Sequence, residues 1–165
     1  MTEKKVFIII GVVVVLLVGT SAVILGSSPV PTKITTSQNA SIATANTSYD
    51  WGYIQYNSPK AIKGFKIKNN GTESLKIGKV KTSCSCTTAQ VIIGNNKSPL
   101  FSMHGGSNWV GEVKPGKEAS LEIIFDQTFH GPSGIGPFER YITIETNDAS
   151  KPKLEFYLKG IVVKS

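Results

Sequence analysis

Cys84 and Cys86 are the only cysteines in the chain and are separated by a single serine. In an extended segment, side chains two residues apart point to the same face. Their Cα atoms would then stand roughly 6.5–7 Å apart, at or beyond the reach of a disulfide, so that a bond requires the strand to bulge. Two thiolates presented side by side are instead well placed to grip one soft metal. Other soft donors are scarce. His104 and His130 are the only histidines, and Met103 is the only methionine beyond Met1. Each histidine is followed by glycine, which lets backbone approach a ligand without steric cost. Cys, Met and His together form the ligand set of copper, with thiolate and thioether favouring Cu(I). Two Cys and two His would also satisfy tetrahedral zinc, but the spacing matches no zinc finger, which leaves zinc second. The candidate metal ligands are therefore Cys84, Cys86, Met103, His104 and His130.

A plainer reading stands beside this one. Free cysteine packs as a small hydrophobe and methionine fills gaps in cores, so these residues also suit a core or a local disulfide. Catalytic readings find less support. No nucleophile elbow or oxyanion loop accompanies the cysteines. No C-x-x-C opens a helix, as a thiol–disulfide oxidoreductase would show. The glycine-rich run at residues 131–136 lacks the Lys-Ser/Thr of a phosphate cradle. The expectation is a non-enzymatic binding protein.

The elements that must position these residues have a period of two. Phe65 and Ile67 alternate with Lys66 and Lys68; Ala119, Leu121, Ile123 and Phe125 alternate with Glu118, Ser120 and Glu122. Ile142 and Ile144, then Phe156 and Leu158, repeat the pattern. Such alternation marks half-buried strands. Turn chemistry separates them at Asn70-Gly71, Gly94-Asn95, Pro115-Gly116 and Asn147-Asp148. No window carries a helical stripe. Residues 49–165 are expected to form an all-β, immunoglobulin-like two-sheet sandwich of about seven or eight strands.

Residues 6–25 form an apolar run without a charge, its only polar residues Thr20 and Ser21, long enough to cross a bilayer as one helix; a cleaved signal peptide, whose apolar region is usually shorter, is the alternative reading. Lys4 and Lys5 precede the run, so the positive-inside bias makes residues 1–5 a cytoplasmic stub. It places everything after the span outside, as the extracytoplasmic part of a single-pass membrane protein. Residues 26–48, rich in Ser, Thr, Ala and Asn, read as a flexible linker. The chain of 165 residues carries a formal charge of +7. Its lysines alternate with core residues, so they mark a solvated sheet face rather than a nucleic-acid platform. The partners expected are the membrane, through the N-terminal helix, and a protein outside it, held by sheet edges or loops.

One further pattern runs through the domain. Asp50-Trp51-Gly52 is followed by Phe65-x-Ile67-x-Asn69, Gly71, Leu75-x-Ile77 and Val80. Then come Thr82-Ser83-Cys84-Ser85-Cys86-Thr87, Pro115-Gly116, and Ile144-x-Thr146-Asn147-Asp148 with Pro152. This order resembles the bacterial family called domain of unknown function 1573, over nearly all of residues 50–163. The resemblance implies an immunoglobulin-like sandwich, exported and often membrane-anchored, with no established activity. Ser85 stands where the family more usually has glycine.

Overall fold

The computed structural model describes residues 34–104 and 107–164. The expected cytoplasmic stub, the expected membrane span and the first part of the expected linker lie outside the described residues. Among those described, no helix is long and apolar enough to cross a membrane.

Ten strands follow in chain order. They are β1 (Ile42–Ala43), β2 (Ser48–Gln55), β3 (Ala61–Asn69), β4 (Leu75–Thr82), β5 (Thr87–Ile93), β6 (Asn96–Lys97), β7 (Val110–Val113), β8 (Glu118–Phe125), β9 (Gly136–Thr146) and β10 (Lys153–Val163). Eight of them are four residues or longer, in line with the number expected from the alternation. They build two five-stranded sheets, β1-β3-β8-β5-β6 and β2-β10-β9-β4-β7. Within the sheets, only β2 and β10 pair in parallel.

The period of two becomes the core directly. On β8, Ala119, Leu121, Ile123 and Phe125 all point inward and are buried. The register sets Phe65 opposite Leu121 on one side and Val91 opposite it on the other. From the second sheet, Ile142, Ile144, Phe156 and Leu158 meet them, each fully buried. The Phe65 and Phe156 rings bridge the layers at 5.0 Å. Burying a side chain of this size contributes about 1.5–3 kcal/mol, so this interlayer set dominates the fold's stability. The turns also fall where their residues require. After Pro115, Gly116 takes φ +72°, and the Lys117 amide donates to the Lys114 carbonyl at 3.0 Å, a turn that favours glycine at its third position.

The linker expected over residues 26–48 does not extend that far. Residues 34–47 are folded onto the domain. Ala40 and Ile42 are buried, and β1 pairs with β3. Ser41 and Asn39 carbonyls accept the amides of Asn70 and Thr72, at 2.9 and 2.8 Å. Gly71 is needed there, because a Cβ would collide with the backbone of Asn39 to Ser41. The polar composition that reads as a tether instead supplies hydrogen-bonding partners. Ser37 and Asn39 donate to the Glu73 carboxylate. The buried Asp148 carboxylate accepts the Ile42 amide at 2.8 Å. Burial pushes the Asp148 carboxyl upward. The amides of Ile42, Ser150 and Lys151 and the Ser150 hydroxyl outweigh it and hold the group below its ordinary value.

Candidate functional site

At one end of the sandwich the chain crosses twice between sheets. Residues 83–86 lead from β4 to β5, and residues 126–135 lead from β8 to β9. Because Thr87 pairs with Phe125, the two crossings lie side by side.

The first crossing is not extended. The Thr87 amide donates to the Cys84 carbonyl at 3.1 Å, closing a turn over Cys84-Ser85-Cys86. The buried Thr82 hydroxyl is shared between the carbonyls of Cys84 and Thr87, at 3.0 and 2.9 Å. Ser83 ties the turn to β9: its amide donates to the Tyr141 carbonyl, and its hydroxyl accepts the Tyr141 amide, both at 2.9 Å. The turn draws the two cysteine Cα atoms to 5.2 Å, well inside disulfide range, and the sulfurs are bonded to each other. The expectation of two unbonded thiols on an extended face is corrected by this geometry. An i→i+3 turn shortens the separation that a strand would have imposed.

The second crossing is held just as firmly. The Asp126 amide donates to the Cys86 carbonyl at 2.8 Å. The Asp126 carboxylate takes the Lys60 ammonium at 2.8 Å and the Thr128 hydroxyl at 2.7 Å, which together hold its carboxyl below the usual range. Gln127 is buried and donates to the carbonyls of Ser58 and Pro59. Gly131 takes φ +62°, a conformation that costs glycine nothing, and the chain turns into the short helix Gly131–Gly134. His130 is thereby brought to the cysteine turn, with Nε2 3.4 Å from the Cys84 sulfur. A disulfide sulfur carries no proton to donate, so a hydrogen bond here requires the His130 tautomer protonated at Nε2.

Three of the five expected ligands therefore converge. The ligand atoms of Cys84, Cys86 and His130 all lie within 4.8 Å of one another, the one such His/Cys/Asp/Glu group among the described residues. Cys86 is buried, Cys84 half-buried and His130 exposed. His104 stands outside this group, on an exposed turn of the β6–β7 connection, and Met103 precedes it there, 41% exposed.

One residue of the site escapes the sequence reading. The Arg140 guanidinium donates from Nε to the Cys86 sulfur at 3.0 Å. It lies 5.5 Å from the centroids of both Phe125 and Phe138, which stack on each other at 4.1 Å. Partial burial lowers its pKa, yet a guanidinium keeps its charge in such surroundings. A signal was present in the composition. Of 18 basic residues, Arg140 is the sole arginine. A planar, weakly hydrated cation can lie on aromatic rings and donate sideways to sulfur in a way an ammonium cannot.

A solved structure at 20% identity shares this fold. A protein of unknown function from Porphyromonas gingivalis W83 superposes with a TM-score of 0.57 at 20% identity, covering 81% of this chain. This chain spans 51% of that protein's length. The seventh PapD-like domain of human CEP192 superposes with a TM-score of 0.49 at 16% identity, covering 84% of this chain and 96% of that domain. No curated protein sequence matches the chain. Residues 42–99, a stretch that includes the Cys84-Ser85-Cys86 turn but ends before the Thr146-Asn147-Asp148 element, match the family described as protein of unknown function, DUF1573.

Proposed function

We propose that this chain is a membrane-anchored, extracytoplasmic, non-enzymatic binding domain whose Cys84, Cys86 and His130 take one Cu(I) ion when the disulfide is open. The observation that carries the reading is the convergence of two sulfurs and one imidazole nitrogen within 4.8 Å from two separate crossings. Donors about 2.0–2.3 Å from one metal stand roughly 3.5–4 Å apart, so small side-chain motions complete such a site. Two thiolates and an imidazole suit Cu(I), and zinc would need a further donor. In the oxidised state the sulfurs bond to each other and are not thiolates, so the site is closed. Reduction is the gate.

A chelator-competition titration of the full chain in detergent tests this. The reduced protein is expected to take one Cu(I) per chain and the oxidised protein none. His130→Ala should weaken binding by at least roughly tenfold, or about 1.4 kcal/mol. Equal binding by the oxidised form, or by a Cys84→Ser/Cys86→Ser variant, contradicts the reading.

The closed disulfide favours a second reading, a structural or protein-interaction module in which the bond merely shapes a loop. It predicts that breaking the bond costs much stability.

A further inference from the structure

The two sulfurs differ in access and in company. Cys86 is 2% exposed, under the stacked rings of Phe125 and Phe138, and receives the Arg140 guanidinium. Cys84 is half-buried; the Cys86 amide donates to its sulfur at 3.2 Å, and the exposed His130 stands beside it at 3.4 Å. An incoming thiolate can therefore reach Cys84 and not Cys86. We propose that Cys84–Cys86 is a directional thiol–disulfide exchange site, attacked at Cys84, with Arg140 receiving the charge expelled onto Cys86.

The reductant is a dithiol. One of its thiolates attacks the Cys84 sulfur, forming a mixed disulfide. The Cys84–Cys86 bond breaks, and its electron pair leaves on Cys86 as a thiolate against the Arg140 Nε–H. The second thiol of the reductant, giving its proton to solvent, attacks the first and forms the reductant's own disulfide. That displaces Cys84 as a thiolate, which His130 Nε2–H is placed to hold. Two electrons pass to the domain, and the cysteines take up from solvent the protons that the dithiol released. A positive group fixed where negative charge accumulates lowers the barrier without needing to reorganise. This goes beyond copper binding and does not depend on it, because the step needs no metal.

The test is run on the oxidised full chain in detergent, with a metal chelator present throughout. The chain is treated with the monothiol glutathione, quenched in acid, alkylated, and mapped by peptide fragmentation. The expected product carries glutathione on Cys84 and the alkyl group on Cys86. The reverse product, or an even mixture, overturns the proposal. Reduction by dithiothreitol should be faster in the folded chain than in a peptide of residues 80–90, and equal or slower reduction overturns it too. Arg140→Met should slow reduction by roughly tenfold or more, and Arg140→Lys should restore part of the rate, since charge returns without the planar fork. An unchanged rate in folded Arg140→Met removes Arg140 from the step. Should that variant fail to fold, the product mapping on the unmodified chain still decides the direction of attack. Loss of Cu(I) binding with directional exchange intact would refute the metal reading alone.

Discussion

The sandwich holds two apolar clusters of different character. The larger is mostly aliphatic and runs between the sheets: Ile67, Leu75, Ile77, Val91, Leu121, Ile142, Ile144 and Leu158 lie in it, all fully buried. The smaller, at the crossing end, is aromatic and sulfur-bearing, built on Phe125, Phe138, Cys86, Ile54 and Val162, with Trp51 and Cys84 against it. Charge meets the first only at its rim, where the buried Asp148 carboxylate holds the Ile42 amide and the Lys63 ammonium lies 5.8 Å from the Phe65 ring centroid. The second admits a guanidinium, the sulfur pair and a histidine within reach of solvent. The interlayer cluster holds the fold, whereas the end cluster gives up part of its packing to seat a disulfide, a guanidinium and an imidazole. Aromatic faces make this workable, because they cover apolar area and still attract a cation.

The comparison can be broken most forcefully in the large cluster. Phe156→Ala, which removes a fully buried ring tilted against Phe65, should cost about 3–5 kcal/mol in urea unfolding and leave sulfur chemistry unchanged in whatever fraction stays folded. A loss below about 1 kcal/mol would mean that the interlayer packing is not what holds the sheets.

Asp148 gives the next effect. Asp148→Asn weakens the acceptor for the buried Ile42 amide and should cost about 1–3 kcal/mol near neutral pH. The folded carboxyl is held below its ordinary value, so its contribution is fully present above the unfolded pKa of about 3.9. It is lost as pH falls through the folded value. The gap between wild type and Asp148→Asn should therefore narrow below about pH 4. A gap that widens on acidification contradicts the hydrogen-bond account.

The disulfide sharpens the contrast. A bond between residues two apart closes a very short loop, and the chain-entropy estimate gives only about 1.5 kcal/mol for it. Replacing both cysteines by serine should destabilise the domain by about that much and no more. A loss of 4 kcal/mol or more would favour the structural reading of the pair, as in small secreted domains that depend on their disulfides. Smallest of all, Lys66→Ala, exposed on β3 between Phe65 and Ile67, should change stability by less than about 0.5 kcal/mol.

These two regions were not equally legible in the sequence. The interlayer core follows from alternation alone. Phe65, Ile67, Leu121, Ile123, Phe125, Ile142, Ile144, Phe156 and Leu158 were all expected inside, and all are buried. Phe125 nevertheless belongs to the end cluster, since periodicity gives the face of a strand and not which neighbours a residue meets at its end. Residues 34–47 were hidden because their anchoring is mostly hydrogen-bonded and long-range, as between Ile42 and Asp148, and only two of their scattered apolar residues, Ala40 and Ile42, are fully buried. At the site, soft-donor scarcity pointed to Cys84, Cys86, Met103, His104 and His130, of which Cys84, Cys86 and His130 come together. The spacing of the cysteines argued for an extended pair, because nothing in Ser83-Cys84-Ser85-Cys86 announces a turn. Local pattern also cannot rank loops. His104 and His130 look alike in sequence, each before a glycine, and only the crossing geometry separates them.

The central claim is that one Cu(I) is held by two sulfurs and the His130 nitrogen. X-ray absorption on the reduced, copper-loaded full chain reads that ligand shell directly. The account predicts two sulfurs at about 2.2–2.3 Å and one nitrogen at about 2.0 Å, with the nitrogen lost in His130→Ala. A shell without sulfur, or a nitrogen that persists in His130→Ala, would contradict it.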